Sequence, residues 1–164
     1  MRHWVAGYTF SIPYKPRAFA EYNYASGDRN PHDGRVGTFD QFYPTGHDKF
    51  GLADQVGWRN IRDLHFGVEA RPTRAVTAAL GVHSWWLASA TDGLYSASGL
   101  IVRVASGSAG TRVGDELDAL CAWAINRQMQ LGAGVGHIFP GPFLKLATQG
   151  NPYTFPYLMF GYSF

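Results

Sequence analysis

Apolar residues recur along this chain with a period of two rather than 3.6, and Gly or Pro interrupts nearly every helical alternative. In the first run, residues 4–10, Trp4, Ala6, Tyr8 and Phe10 share one face and Val5, Gly7 and Thr9 the other. The second, 17–25, sets Ala18, Ala20, Tyr22 and Tyr24 against Arg17, Glu21 and Asn23, with Phe19 an exception on the polar side. In the third, 59–71, Leu64, Phe66, Val68 and Ala70 oppose Asp63, His65, Glu69 and Arg71. The fourth, 75–87, carries Val76, Ala78, Leu80 and Val82 on one face and ends in Trp85-Trp86, a pairing suited to a membrane interface. Runs 113–125, 129–139 and 153–164 complete the series, the sixth with Gly132, Gly134 and Gly136 on one face.

The connections sort by length. Residues 12–16, 72–74 and 126–128 are short turns, whereas 26–57 and 88–112 are long and 140–152 is intermediate. Alternating strands joined by alternately short and long connections describe a transmembrane barrel, with short periplasmic turns and long extracellular loops. A soluble sandwich also alternates, but its loops need not sort in this way. Counting back from Phe164, Tyr162, Phe160, Leu158 and Pro156 make an apolar terminal strand ending on an aromatic. If that strand ends in the periplasm, both long connections fall on the extracellular side.

Composition agrees with a barrel. Charged residues are 16% of the 164 residues and aromatic residues 15%, with 20 Gly. A soluble domain carries about a quarter charged residues. A net charge of +2, with no basic stripe, gives no case for nucleic acid. The single Cys121 excludes an internal disulfide and reads as a small apolar strand residue. No run approaches the roughly 18 apolar residues of a spanning helix, so a membrane reading rests on strands alone.

The predicted fold is therefore all-β: an antiparallel up-and-down transmembrane barrel, in one domain spanning residues 1–164. Seven runs are an odd number, and bacterial barrels close with an even one. Met1-Arg2-His3-Trp4 does not open a signal peptide, having no apolar stretch behind it. The expectation is a chain truncated at its N-terminus, the C-terminal portion of a larger barrel. The alternative is a complete small barrel of about eight strands, with an extra strand drawn from 94–105.

Several segments then resemble a known family. They are YASGD at 24–28, FDQFYPTGHDKFGLADQVGWRNI at 39–61, HSWWLA at 83–88, DGLYSASG at 92–99, VGDELD at 113–118, LGAGVGHIFPGPFLK at 131–145 and the closing FPYLMFGYSF. Together they resemble the alginate export family of outer-membrane porins over nearly the whole chain. The resemblance implies a parent barrel of roughly eighteen strands, of which this chain carries the last seven or so. It also implies a Gram-negative outer-membrane location and passive export of an anionic polyuronate through an Arg-lined pore, with export components in the periplasm as partners. It does not fix the substrate, and no local motif here matches the family's pore arginines.

If Leu64, Phe66 and Val68 face lipid, parity assigns the pore lining. It comprises Arg17, Glu21 and Asn23; Arg59, Asp63, His65, Glu69 and Arg71; His83; Arg112, Glu116 and Asp118; and Gln130. Rings of charge set selectivity, with Arg favouring anions. Arginines and carboxylates are mixed here, so salt bridges bracing the wall are expected alongside solute contacts. The first long connection holds Asp28, Arg29, His32, Asp33, Asp40, His47, Asp48 and Asp54, but lacks the twelve-residue spacing of a calcium loop. A structured cap in which Phe39, Phe42, Tyr43 and Phe50 pack together is expected instead. No metal or other cofactor is expected.

Catalysis finds little support. His83 and Ser84 are adjacent and would point to opposite faces of a strand. Glu116 and Asp118 share a face but form a common i, i+2 pattern. The expected function is a passive polysaccharide channel rather than an enzyme. The alternatives are a general porin for small polar solutes, a small barrel enzyme acting on lipid or glycan, and a plugged, non-transporting barrel.

Overall fold

The computed structural model describes residues 1–43, 46, 47 and 49–164. Seven strands form one antiparallel sheet in which chain order is also spatial order. They are β1 (Arg2–Thr9), β2 (Arg17–Ala25), β3 (Ile61–Ala70), β4 (Val76–Leu87), β7 (Arg112–Ala124), β8 (Met129–Pro140) and β9 (Tyr153–Tyr162). Between β4 and β7 a separate two-stranded sheet pairs β5 (Gly93–Tyr95) with β6 (Ile101–Val104). The stretch 94–105 thus supplies a hairpin beside the wall and adds no strand to it. One short helix, α1 (Pro142–Ala147), precedes β9. Among the described residues no helix is long and apolar enough to cross a membrane. The sheet is the wall of a barrel that the described residues leave open, with β1 and β9 at its edges.

Each strand forms where the two-residue alternation predicted it, because alternate side chains can then be sorted between unlike surroundings. The register keeps the faces aligned across the wall. One row runs Val5, Glu21, His65, His83, Glu116, Ile138, Tyr153, and the neighbouring row on the other face runs Ala6, Ala20, Phe66, Val82, Leu117, His137, Thr154. The second face is apolar and uncovered: Phe66, Leu80, Leu117, Trp123, Leu158 and Phe160 are all exposed, Leu158 at 84%. So broad an apolar surface marks contact with another apolar phase rather than with water, and strands of 8 to 13 residues suit a lipid-facing band. Cys121 lies on this face.

Several boundaries differ from the sequence reading by one or two residues: β1 starts at Arg2 rather than Trp4, and β9 ends at Tyr162 rather than Phe164. β3 begins at Ile61 rather than Arg59, because Asn60 adopts a left-handed φ of 48°, which breaks the extended backbone. The segment 140–152, expected as a plain loop, contains α1, whose Phe143 and Leu144 are buried.

The hydrophobic core gathers at the end of the sheet that carries the long connections. Trp85, Ile61, Leu87, Val113 and Ile138 from the strand ends pack with Phe50 and Val56 of the first long connection, Leu94 of β5 and Phe143 of α1. The connections therefore form a packed layer rather than loose excursions.

Candidate functional site

The polar face of the sheet carries a continuous hydrogen-bonded network. His3 of β1 bonds the Asn23 side-chain oxygen at 2.8 Å, and the Asn23 amide donates to Glu21 at 2.7 Å and to Asp63 at 2.9 Å. Asp63 in turn bonds His83 Nδ1 at 3.0 Å. His65 lies flat on His83, with ring centroids 3.8 Å apart, and His83 Nε2 stands 4.0 Å from Asp118. Asn23, Asp63, His83 and Glu116 are all buried. Buried polar groups persist only when paired, and here each strand from β1 to β4 supplies a partner for the next.

What buries them is part of the first long connection. Lys49 forms an ion pair with Glu21. The backbone N–H of Ala53 donates to Glu116 Oε1 at 2.8 Å. Phe50, Leu52, Ala53 and Val56 are buried, and the Phe50 ring packs 5.9 Å from Trp58. Residues 49–58 thus lie along the polar face as an inward strap. Its close approach depends on glycine: a Cβ on Gly134 of β8 would stand 3.1 Å from Leu52 of the strap. Beneath the strap is a cavity of about 180 Å³, lined by residues that include Phe19, His47, Leu52, His65, His83 and Asp118.

The predicted pore residues divide accordingly. Glu21, Asn23, Asp63, His65, His83, Glu116 and Asp118 come together in or beside the network. Arg17 and Glu69 share the face nearer the short turns and pair at 3.7 Å, an exposed brace of the kind expected. Gln130 also lies on this face, opposite Ala124, and is exposed. Arg71 sits just beyond β3, where its backbone N–H reaches Tyr14 of the neighbouring turn at 2.9 Å.

Two arginines depart from the parity count. Arg59 precedes β3 and belongs to the connections, pairing with Asp40 at 3.4 Å and lying over the Tyr95 ring. Arg112 falls on the apolar face, because the register shifts between Trp85 and Trp86: Trp85 pairs with Gly114 but Trp86 with Arg112. A bulge inserts one residue and reverses parity beyond it. Arg112 stacks on Trp86 at 4.5 Å and grips both Asp115 oxygens at 2.6 Å. It closes a cross-strand row of Arg2, Tyr24, Arg62, Trp86 and Arg112, where the apolar band ends. His83 and Ser84 do face opposite ways, the serine hydroxyl bonding Asp115.

The cap also differs from expectation. Phe39 and Phe50 pack on Trp58, but Phe42 and Tyr43 are 88% and 91% exposed and join no cluster. Its organising residues were not singled out from the sequence. Asp92 receives the Asp28 N–H at 2.8 Å, the Thr38 hydroxyl at 2.6 Å and the Tyr95 hydroxyl at 2.7 Å. Burial, with the Asp92 carboxylate beside it, pushes the Tyr95 phenol above its ordinary pKa. Asn60 ties the two long connections together, donating to the carbonyls of Ser89 and Gly93 and accepting from the Ser89 N–H at 2.7 Å. Asp48, one of the acidic residues noted in the connection, lies outside the described residues. Among the described residues no group of three or more His, Cys, Asp and Glu is placed to hold a metal.

A seven-stranded wall with one apolar face and one networked polar face can line an aqueous path through a membrane. No curated protein matches the chain. The family model described as alginate export matches residues 4–153, a span that takes in the polar network apart from His3, the strap and every connection up to the start of β9. The chain belongs to the alginate export family.

Proposed function

We propose that this chain forms part of the wall of a passive outer-membrane channel that exports an anionic polysaccharide of the polyuronate type. The observation that carries this reading is the division of the sheet. Leu80, Leu158 and Phe160 face outward uncovered, while Glu21, Asn23, Asp63 and His83 are hydrogen-bonded to one another on the opposite face. A lipid-facing band backed by a polar wall is what a solute path requires. Arg17 and Lys49 bring basic groups to the polar side, and membership of the alginate export family supports a polysaccharide as the solute. Outer-membrane lipid on one face, the polysaccharide on the other and export components in the periplasm are the partners this function needs.

The test is reconstitution of the full-length protein in planar bilayers. Ion conductance that falls when a polyuronate is added is expected, with a neutral dextran of equal length as the control. Conductance reduced equally by both polymers favours a general porin. A second reading draws on the packed layer of Trp85, Phe50, Ile61 and Phe143 at one end of the wall. Such a layer suits a plugged barrel, which would show no conductance at all.

A further inference from the structure

The terminal strand places a line of aromatic rings on the polar face. Tyr153, Phe155 and Tyr157 pair with Ile138, Gly136 and Gly134 of β8, and Ile138 pairs with Glu116, which fixes all three on the network side. Alternate residues of a strand stand about 7 Å apart, so the rings form an evenly stepped column. Phe155 and Tyr157 lie beside glycines over which Leu52 of the strap sits, and Phe155 is partly buried against the core. Tyr153 is 37% exposed.

One planar group already rests on this column. The His47 imidazole stacks on Phe155 at 5.8 Å with a 16° tilt, and lies 5.0 Å from Tyr157. It is held there from its polar side: its backbone N–H donates to Asp54 at 2.6 Å, and its Nδ1 lies 2.9 Å from the Leu52 carbonyl and 3.2 Å from Asp54. A flat five-membered ring, apolar on its face and hydrogen-bonded at its edge, thus occupies an aromatic platform. A pyranose makes the same demands: its C–H face lies on an aromatic ring and its hydroxyls bond to polar groups at the rim.

We propose that Tyr153, Phe155 and Tyr157 form a stacking track for successive sugar rings of a polysaccharide moving along the polar face, and that His47 holds one position of the track when sugar is absent. This rests on the channel reading and adds to it the surface that touches the sugar. A track of this kind binds weakly and repeatedly. A channel needs that, because a polymer must enter favourably and still leave.

The experiment is block of the reconstituted full-length channel by a polyuronate hexamer. Phe155→Leu and Tyr157→Leu are each expected to weaken block by about two- to tenfold, the range for losing one aromatic stacking partner. Phe155→Tyr, which keeps the ring, should retain it. His47→Ala, which clears the track, should tighten block by a similar factor. Equal block of wild type, both leucine variants and His47→Ala overturns the track and leaves the channel standing. No block of the wild type overturns the channel and the track together. Heat-modifiable migration of each variant on gels checks that the barrel has formed.

Discussion

Ala53 donates its backbone N–H to Glu116 across 2.8 Å, joining residues 63 positions apart in the chain. Both are buried, so this bond is a main attachment of the strap to the wall. Replacing Glu116 with Leu leaves the Ala53 N–H without a partner, at about 1–3 kcal/mol for an unsatisfied buried donor. The strap should then detach more often. In planar bilayers, Glu116→Leu is expected to show larger conductance and more frequent transitions than wild type, whereas Glu116→Gln, which keeps an acceptor, should conduct as wild type does. Identical traces from wild type and Glu116→Leu would mean that the strap does not limit the path.

Gly51 offers the same test from the other side. Its φ of +100° is a conformation that side chains rarely adopt, and a Cβ there would run into the Glu116 carboxyl. Gly51→Val should reproduce the Glu116→Leu conductance. Because the two substitutions disrupt one contact, the double variant should differ little from either single one, as expected for coupled neighbours. Additive effects would show that Gly51 acts elsewhere.

The wall was legible in the sequence because alternation is a local signal. Residues 17–25 and 129–139, for instance, match β2 and β8 within one residue. Parity then placed Glu21, Asp63, His83 and Glu116 together correctly, because no irregularity intervenes along those rows. It failed at Arg112, where a bulge leaves no mark in the pattern of apolar residues. It failed at Arg59 because the left-handed turn at Asn60 carries no periodic signal. The strap was illegible for a different reason. Lys49, Phe50, Leu52 and Ala53 follow no repeat, and their partners Glu21 and Glu116 lie in distant strands, so only the assembled sheet shows why an apolar loop segment folds inward.

Selectivity should separate the two faces. Arg17 lies on the polar face and Arg112 on the apolar one. Arg17→Gln should shift the reversal potential in a salt gradient toward cation preference, because it removes a positive group from the path. Arg112→Lys should leave the reversal potential unchanged. It loses the two-pronged grip on Asp115 and the stacking on Trp86, so its effect should be a lower melting temperature. A selectivity change in Arg112→Lys alone would reverse the assignment of faces.

The polar network should matter more to stability than the exposed brace. Asp63→Leu leaves one hydrogen of the Asn23 amide, whose nitrogen still donates to Glu21, and His83 Nδ1 without a partner in a buried setting, costing roughly 1–3 kcal/mol for each. Glu69→Ala removes a 3.7 Å pair whose carboxylate side chain is 54% exposed, and surface changes of this kind stay within about 0.5 kcal/mol. Thermal conversion of the folded to the unfolded band on gels should fall clearly for Asp63→Leu and barely for Glu69→Ala. Equal losses would mean that the network is no better coupled than a surface pair.

The two long connections should come apart at Asn60. This buried side chain makes three hydrogen bonds to the 88–112 connection while its backbone holds a φ of 48°. Asn tolerates that conformation better than most residues, so position 60 combines a backbone requirement with a side-chain one. Asn60→Gly keeps the backbone and loses the bonds; Asn60→Ala loses both. Each should expose the segment around β5 and β6 to protease added to proteoliposomes, with Asn60→Ala cleaved faster than Asn60→Gly and wild type slowest. Leu94 and Ala105 are buried in the shared core, so loosening should spread to Phe50 and then to the strap. The Asn60 variants should therefore also show the noisier conductance expected of Glu116→Leu. Faster cleavage with a quiet channel would show instead that the cap opens independently of the strap.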